Sequence, residues 1–338
     1  MNNPLVSVII VNWNGLRYLK NCFDSIINQN YENYEIVFVD NSSTDKSIEF
    51  IKANYPNTII IKNTNNLGFA EANNIGVNKS RGEYLFLLNN DAWVEKNTIK
   101  ELISTYSKVD NLGIVGCKIL NPDGTIQDMG NKIDILGYPI GINKEITGEL
   151  ITNLFFVSGC ALFMKGELFN ILNGFDERYF MFMEETDLCW RARLLGYKIV
   201  TNRNAQVFHH GGGSIVGGIK KGKRYTTHIN RIYLRERNTL NMLLKNLESK
   251  NLVFRIGLNL LLNIAECGFF IFMLKPKVSF VYIRAFWWNI LNFKDTMKKR
   301  KTIQLFRKVK DSDLKEFIQD KIVKLSLIKT IGIPNVVS

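Results

Sequence analysis

Cysteine and histidine are scarce in this 338-residue chain, and their spacing argues against two kinds of site. The five cysteines lie far apart and never form a C-x-x-C pair, so the sequence predicts neither a disulfide framework nor a cysteine-rich zinc site. Of the three histidines, two are adjacent, His209 and His210. A reducing compartment is the environment we expect for such a chain.

The amino-terminal residues also lack the features of a secretory signal. Met1–Leu5 runs directly into the apolar segment Val6–Val11, without a basic stretch, a long apolar core or a small-residue cleavage site. The glycines after the third predicted strand are too few for a G-x-G-x-x-G fingerprint, which argues against a dinucleotide dehydrogenase. We therefore expect a cytosolic protein that starts to fold at its first residues.

Charge of one sign dominates, with a formal net charge of +13. Such an excess of Lys and Arg is typical of a protein with an anionic partner, either nucleic acid or anionic lipid. Much of it lies near the carboxyl terminus, in runs such as Lys298–Lys301, close to apolar segments and Trp287–Trp288. This mixture favours a membrane surface over nucleic acid.

The first two thirds of the chain alternate between strand and helix patterns. Short apolar runs predict strands at 6–11, 35–40, 58–62, 84–88 and 205–208, and helical periodicity lies between them at 16–27, 69–79 and 99–106. Ser42–Asp45 resembles a helix N-cap with a carboxylate three residues on. The alternation predicts an α/β fold whose sheet is mostly parallel, with helices on both faces.

Composition changes near residue 220, where a basic run precedes a long segment without alternating strands. We expect a catalytic domain at 1–220 and a helical, basic and apolar region at 221–338 that associates with membranes. The apolar stretch Ile256–Leu274 is long enough to cross a bilayer, but it contains Asn259, Asn263 and Glu266. A charged residue at mid-membrane is costly, so we favour a helix that lies at the interface, with packing against the catalytic domain as the alternative.

Polar residues follow the predicted strands, at the edge where open α/β sheets bind ligands. Asn12 and Asn14 follow the first strand, Asp40 ends the second, and Asn89, Asn90 and Asp91 follow the buried strand at 84–88. A loop with Asn66, Gly68 and Asn73 adds amides at the start of a helix. Asp91 could hold Mg²⁺ against a diphosphate, although Asn and Asp after a strand are also ordinary turn formers.

Two further groups could carry chemistry. Glu184, Glu185 and Asp187 lie within one turn at the start of a predicted helix, where they could act as a general base or merely cap the helix and pair with arginines. His209 ends a predicted strand beside Gly211–Gly213, and could bind a metal or a diphosphate, or be structural.

Together these segments resemble the family-2 glycosyltransferases, whose catalytic domain has the GT-A fold. The motifs that carry the resemblance appear in family order across residues 4 to 215, namely Val6–Asn14, Val39–Asp45, Asn66–Ala70, Leu87–Asp91, Gly174–Asp176, Glu184–Leu188 and His209–Ser214. Two positions depart from the family pattern. Asn89 replaces the first acid of the D-x-D motif, and Glu185 stands where the family usually has Asp.

The resemblance implies a role for each matching residue. Asp40 would recognise the nucleotide base beside Asn12 and Asn14, while Asp91 and His209 would bind Mg²⁺ or Mn²⁺. Glu185, or else Glu184, would be the catalytic base. The acceptor side would include Gly159 and Cys160, with Trp190 or Arg191 lining the pocket.

The implied reaction is an inverting transfer from a nucleotide-diphosphate sugar to a hydroxyl of a glycan or lipid-linked acceptor. The Asn66–Ala70 loop and the His209–Ser214 segment look most like the rhamnosyltransferase branch, which would make dTDP-rhamnose the donor, with a UDP-hexose as the alternative. A membrane-docked protein with an inactive site is a further alternative, because of Asn89. We expect a peripheral protein at the cytoplasmic face of the membrane that does not bind nucleic acid, and the oligomeric state stays open, a homodimer included.

Overall fold

The structure is a computed structural model that describes residues 3–211, 217–221 and 224–337. The chain divides into two compact units, unit 1 (1–131 and 141–213) and unit 2 (132–140 and 214–338). The second unit thus begins at 214 rather than 221, and it includes a segment that the sequence assigned to the first domain. That segment joins unit 2 through hydrogen bonds from the Val323 amide to Asp134 and from the Tyr138 hydroxyl to Glu236.

The bounds of the elements follow in chain order. The first half of the chain forms β1 (Val6–Asn12), α1 (Leu16–Ile27), β2 (Tyr34–Asp40), α2 (Ser47–Asn54), β3 (Ile59–Lys62), α3 (Gly68–Lys79), β4 (Tyr84–Asn89), β5 (Ala92–Val94), α4 (Thr98–Tyr106), β6 (Leu112–Leu120), β7 (Ile126–Asp128), β8 (Asn131–Asp134), β9 (Pro139–Gly141), β10 (Ile151–Asn153) and β11 (Ala161–Lys165). The second half forms α5 (Gly166–Ile171), α6 (Glu184–Leu194), β12 (Lys198–His209), β13 (Gly217–Lys221), β14 (Arg224–His228), α7 (Ile229–Asn246), α8 (Ser249–Phe272), α9 (Pro276–Leu291), α10 (Phe293–Phe306), β15 (Ile318–Gln319), α11 (Val323–Ile331) and β16 (Asn335–Val337).

The large sheet of unit 1 is mixed rather than mostly parallel. Its order is β10-β12-β6-β11-β4-β1-β2-β3, with β5 beside β12 and β7 beside β6. The strands β4, β1, β2 and β3 pair in parallel, as the alternating sequence predicts. Strand β11 is antiparallel to both of its neighbours, β4 and β6. The chain enters β11 from the edge of the sheet at which β6 ends, because no crossover connection carries it back to the edge at which β6 begins. The prediction of a mostly parallel sheet was therefore wrong for the part of the sheet that contains β11.

Helices cover both faces of the parallel half of the sheet, which explains why β1 is apolar almost throughout. Val8 and Ile10 belong to the same core cluster as Phe23 of α1. Between them, Ile9 points the other way and lies against Gly76 of α3. A strand that is buried on both faces has no polar face to expose, so its sequence does not alternate.

The predicted N-cap at Ser42–Asp45 is not one. Helix α2 begins at Ser47 and has no side-chain cap. One Asp45 oxygen accepts a hydrogen bond from the Leu16 amide at 3.0 Å, at the start of α1, and the other accepts from the Ser47 amide at 3.1 Å, at the first residue of α2. The polar run after β2 therefore connects the starts of two helices.

Unit 2 is mainly helical, and α7 packs against the helices that follow it. The Asn289 amide of α9 donates to the Arg237 carbonyl at 3.0 Å, and the Asn241 amide donates to the Thr296 hydroxyl of α10 at 2.8 Å. Within the described residues one helix, α8, is long and apolar enough to cross a membrane by length and composition alone. Two three-stranded sheets, β13-β14-β16 and β15-β8-β9, complete the strand pairing.

Candidate active site

The carboxyl ends of β1, β2 and β4 meet at one edge of the sheet, where a hydrogen-bond network links their polar residues. The Asn90 amide donates to the Asn12 side chain at 2.7 Å, and the Asn12 amide donates to Asp40 at 3.3 Å. The other Asp40 oxygen accepts from the Ser43 amide at 2.9 Å. Because Asp40 is fully buried with both oxygens engaged, it orders these strand ends. Its direct contact with a nucleotide base stays a prediction.

Asn14 fastens the loop after β1 to the loop after β2. Its backbone amide donates to the Ser43 hydroxyl at 2.9 Å, and its side-chain oxygen accepts from the Thr44 amide at 2.7 Å. Asn14 and Ser42 both have positive φ, a conformation that most residues avoid. The two loops thus form one preorganised rim above the sheet edge.

The loop before α3 is held by Asn41, which the sequence did not single out as a site residue. Its amide donates to the Asn66 side chain at 3.1 Å and to the Gly68 carbonyl at 3.0 Å. Asn73 does not join this network. It is buried, and its amide donates to the Phe69 carbonyl of its own helix at 2.8 Å, so its contact with the donor stays a prediction.

Asp91 and His209 face each other across the neighbouring part of the edge. Asp91 Oδ1 lies 3.1 Å from His209 Nε2, and the Asn89 amide nitrogen lies 3.3 Å from the same ring nitrogen. The other ring nitrogen, Nδ1, lies 2.7 Å from Gln127 Oε1. Gln127 also donates to the His209 carbonyl at 3.2 Å, so it fixes both the ring and the backbone of His209. The predicted motif continues into Gly212–Ser214, which lie outside the described residues.

The environment of this pair shifts the pKa values of both members. Burial disfavours the charged imidazole, but the Cys160 and Asp91 side chains outweigh it, so the pKa of His209 is raised well above its usual value. Burial acts against the charged form of Asp91 too, yet its hydrogen bond to His209 leaves the pKa of Asp91 lowered. Each of the two side chains therefore stabilises the charged form of the other, and a cation bound between them would take the place of the proton on Nε2.

The protein side chains at this place could bind a divalent cation only together with oxygen atoms of a bound substrate. Across the part of the chain that the structure describes, no group of three His, Cys, Asp or Glu side chains could hold a metal ion. Asp91 and His209 would supply two ligands, and Mg²⁺ is commonly held by one or two carboxylates together with substrate phosphates and water. The donor set therefore suits a cation that arrives with a diphosphate.

A strained turn leads into the helix that carries the acidic pair. Phe180, Phe182 and Met183 all have positive φ, and Glu184 follows directly. Non-glycine residues in this region cost free energy and persist only where the surroundings hold them. The Phe180 carbonyl is held by the Phe69 amide at 2.5 Å, at the start of α3.

Gly68 allows that contact. Its φ of +83° and its position exclude a side chain, because a Cβ there would lie 2.3 Å from the Phe180 oxygen. The glycine that the sequence assigned to the donor loop therefore also holds the turn before α6. This turn sets the position of Glu184 and Glu185.

Glu185 is the one residue of α6 that is not buried; every residue of this helix is described. A Cβ placed on Gly159 would lie 3.5 Å from the Glu185 Cβ, so the two residues are in contact range. The backbone carbonyl of the next residue, Cys160, accepts a hydrogen bond from the backbone amide of Asn89 at 2.9 Å. Gly159 and Cys160 thus connect the region of Glu185 with that of Asp91 and His209.

Glu184 has a different environment from its neighbour. It is buried, and its Oε2 has no hydrogen-bond partner among the described residues. Burial, and then the charge of Glu185, raise the pKa of Glu184 well above its usual value. The protein therefore favours the protonated form of Glu184, which makes this residue less suited than Glu185 to act as a base.

Trp190 and Arg191 are structural, which corrects their assignment to the acceptor pocket. Trp190 is fully buried and packs edge-on against Phe155 with ring centroids 5.3 Å apart. Arg191 is buried too, and it pairs with Asp187 at 2.9 Å and donates to the Gly174 carbonyl at 2.9 Å. Neither side chain is free to contact an acceptor.

Comparison with known proteins finds a family that resembles the part of the chain containing the strand ends of this site. A family model described as glycosyl transferase family 2 matches residues 7–171. These residues are therefore similar to a glycosyl transferase family 2 domain. The match contains every strand-end residue of the site up to Cys160, whereas Glu184, Glu185 and His209 follow it in the chain.

Two curated proteins that are similar to this chain have descriptive names. The O-antigen biosynthesis protein RfbC of Myxococcus xanthus is 28% identical over 221 residues, which cover 61% of this chain and 17% of that protein. Glycosyltransferase GlyG of Streptococcus pneumoniae serotype 4 is 28% identical over 224 residues, which cover 63% of this chain and 73% of that protein.

Solved structures share the fold. The crystal structure of GalNAc-T7 with UDP, GalNAc and Mn²⁺ superposes with a TM-score of 0.58 at 18% identity, covering 72% of this chain and 48% of that one. Likeness at this level of identity concerns the fold alone. The α/β domain with its mixed sheet therefore has a GT-A-like fold.

Proposed function

We propose that unit 1 is a family 2 domain and acts as an inverting glycosyltransferase, which moves a sugar from a nucleotide-diphosphate donor to a hydroxyl group. The observation that carries this proposal is the position of Glu185, the one residue of α6 that is not buried. It lies in contact range of Gly159, and the next residue, Cys160, accepts from the backbone amide of Asn89. The Asn89 side chain in turn lies 3.3 Å from His209. A base on one side and a diphosphate site on the other are what a single in-line displacement requires.

The donor would lie along the rim formed by the strand ends. The network of Asn12, Asn90 and Asp40 holds the loops that would contact the nucleotide, so little ordering is needed when the donor binds. The diphosphate would meet Asp91 and His209, which would hold Mg²⁺ or Mn²⁺. When bound, the cation supplies positive charge that stabilises the leaving diphosphate.

Glu185 would take the proton from the acceptor hydroxyl as its oxygen attacks the anomeric carbon. The bond to the nucleotide diphosphate breaks on the opposite face, so the configuration at that carbon inverts. Glu184, which is buried and has a raised pKa, would keep the first turn of α6 in place, and its protonated form would add no second negative charge beside the base.

Two details of the reaction come from the sequence resemblance. The rhamnosyltransferase-like segments Asn66–Ala70 and His209–Ser214 favour dTDP-rhamnose as the donor, and a UDP-hexose is the alternative. The name of the Myxococcus relative, an O-antigen biosynthesis protein, supports an acceptor in cell-surface glycan synthesis. A lipid-linked or polymeric glycan would be that acceptor.

We also propose that unit 2 holds the enzyme at the cytoplasmic face of the membrane. Phe254 and Phe272 of α8 are 69% and 84% exposed, and exposed apolar side chains continue along α9 with Phe280 and Trp287. Glu266, the acid that would be costly in a spanning helix, is paired with Lys324 at 2.6 Å. A helix with one apolar face and one polar face suits the interface of a membrane.

An inactive, membrane-docked protein is the second candidate, and Asn89 in place of an acid is the observation that favours it. One experiment separates the candidates. The purified chain is incubated with a panel of sugar nucleotides, Mn²⁺ and an acceptor extract, and the release of nucleotide diphosphate is measured. Release that depends on both the acceptor and one donor supports the transferase, whereas donor binding without release across the panel would contradict it.

A further inference from the structure

Helix α10 carries three lysines in a line on its exposed side. Lys294, Lys298 and Lys301 are spaced so that their side chains share one face of the helix. All three are exposed, and among the described residues none of them has a carboxylate partner. Every residue of α10 is described, and its one acid, Asp295, forms no ion pair with any of the three. We call these three residues the lysine stripe, and their charge is open to an external anion.

The opposite face of α10 fixes the helix at the end of α7. Arg300 is buried there, and its guanidinium donates to the Leu244 carbonyl at 2.8 Å and to the Leu247 carbonyl at 2.6 Å. The fold therefore divides the basic run of the sequence. Arg300 satisfies carbonyl groups inside unit 2, whereas Lys298 and Lys301 lie on the outside. Because the buried contacts hold the helix in one orientation, the lysine stripe stays exposed.

Large apolar side chains continue the lysine stripe and flank it. Leu305 lies one turn after Lys301 on the same face, and it is 75% exposed. Phe293, directly before Lys294, and Phe306 are 50% and 59% exposed. A nucleic acid would cover these side chains with phosphates, which offer them no apolar contact. A membrane instead accommodates them at the boundary of its acyl chains, while the lysine ammonium groups stay at the level of the lipid phosphates.

We propose that the lysine stripe of α10 binds the phosphates of anionic lipids, so that unit 2 selects anionic membranes over zwitterionic ones. Its three ammonium groups complement a negatively charged surface, and each should strengthen binding about fivefold. The exposed apolar side chains of α8 and α9 would bind any bilayer, and the stripe would supply the discrimination. This inference rests on the membrane association proposed above, to which it adds the lipid class and the residues that recognise it.

The test compares the binding of the full chain to two kinds of vesicle, phosphatidylcholine alone and phosphatidylcholine with phosphatidylglycerol, by sedimentation. The wild type should prefer the anionic vesicles by about a hundredfold at low salt, and added salt should reduce this preference because it screens the charges. Equal binding of the wild type to both kinds of vesicle would overturn this inference alone. An absence of binding to both would overturn the proposed membrane association together with it.

The triple variant Lys294→Gln, Lys298→Gln and Lys301→Gln removes the stripe and keeps residues of similar helix propensity. Its binding to anionic vesicles should fall about a hundredfold, whereas its binding to phosphatidylcholine should stay unchanged. The triple Lys→Arg variant at the same positions keeps the charge and should bind like the wild type. Thermal unfolding of each variant checks that it is folded. Unchanged binding of the triple Lys→Gln variant to anionic vesicles would overturn the inference.

Exposed lysines of unit 1 give a control that is matched in charge. Lys52→Gln, Lys79→Gln and Lys100→Gln lower the net charge by the same amount on helices α2, α3 and α4. This variant should bind anionic vesicles within about threefold of the wild type, because charges beyond a Debye length of the lipid are screened. Equal losses in the two triple Lys→Gln variants would show that net charge attracts the protein, and they would overturn the assignment to the stripe.

A labelled DNA duplex, titrated at the same salt concentration, tests nucleic acid as the competing ligand. We expect the triple Lys→Gln variant of the stripe to lose binding to anionic vesicles without a parallel change for DNA. A loss of DNA binding with vesicle binding retained would overturn the choice of lipid.

Discussion

Replacing each acid of the pair in turn by its amide gives the sharpest test of the proposed mechanism. Glu185→Gln keeps the shape of the side chain and removes its basicity. A positioned general base commonly contributes about a hundredfold to ten-thousandfold in rate, so transfer should fall by about that factor. Donor affinity should stay near the wild-type value, because Glu185 would contact the acceptor and not the nucleotide.

Glu184→Gln is the matched control at the adjacent position. Burial and the charge of Glu185 raise the pKa of Glu184 and so favour its protonated form, which an amide resembles. The largest loss we expect is one hydrogen bond, worth about 1 kcal/mol or roughly fivefold in rate. The two substitutions should therefore differ by more than about tenfold.

The assay is steady-state release of nucleotide diphosphate at saturating acceptor, with donor binding measured separately by calorimetry. If Glu184→Gln is the slower enzyme, the base lies one residue earlier and the assignment from exposure is wrong, although the displacement survives. If both variants transfer sugar at the wild-type rate, the displacement mechanism at this site is refuted.

Four other perturbations follow from the same geometry. Asp91→Ala and His209→Ala should each lower turnover by about a thousandfold with the fold intact, and a chelator should abolish activity that Mg²⁺ or Mn²⁺ restores; full activity in excess chelator would refute the metal role. Gln127→Ala should weaken Mn²⁺ binding about tenfold to a hundredfold by calorimetry, because His209 loses the acceptor that orients its ring, and Gln127→Glu should restore it. The raised pKa of Glu184 means that the folded state retains a proton which the unfolded chain releases near its ordinary pKa of 4.5, so stability falls as pH rises above that value. Glu184→Gln removes this effect, so the Tm of the variant relative to that of the wild type should rise as the pH increases above about 4.5. Phe254→Ser with Phe272→Ser should reduce sedimentation with anionic vesicles at least about tenfold, whereas Ile171→Ser, an exposed position of unit 1, should not change it.

The parallel half of the sheet and the polar strand ends could be predicted because the signals are local. The mainly apolar run Val6–Val11 is followed by the polar residue Asn12, and the apolar strand before Asn89 is likewise followed by a polar residue. Parallel neighbours bring such ends to one edge, so Asn12, Asp40 and Asn90 meet there as expected. The reversal of β11 could not be predicted, since strand direction depends on the path of the intervening chain and not on the residues of the strand.

Residues that support the site through distant contacts also left no signal. Gln127 lies on β7, a three-residue strand, and its partner His209 is 82 positions away. Asn41 follows Asp40 directly, but its role depends on loop residues more than 20 positions later. Single polar residues in short strands and turns are common, so only the folded chain distinguishes the ones that orient a catalytic group.

Helix α6 shows why charge pattern misled the assignment of the acceptor pocket. Its sequence holds three acids and two arginines among eleven residues, which ordinarily predicts a solvated helix. The helix is nevertheless buried, because Arg191 neutralises Asp187 and donates to backbone carbonyls that would otherwise lack partners. Because Asp187, Arg191 and Arg193 are satisfied internally, none of these three side chains is available to bind an acceptor. Exposure then leaves Glu185 as the only acid on this helix that a substrate hydroxyl could reach.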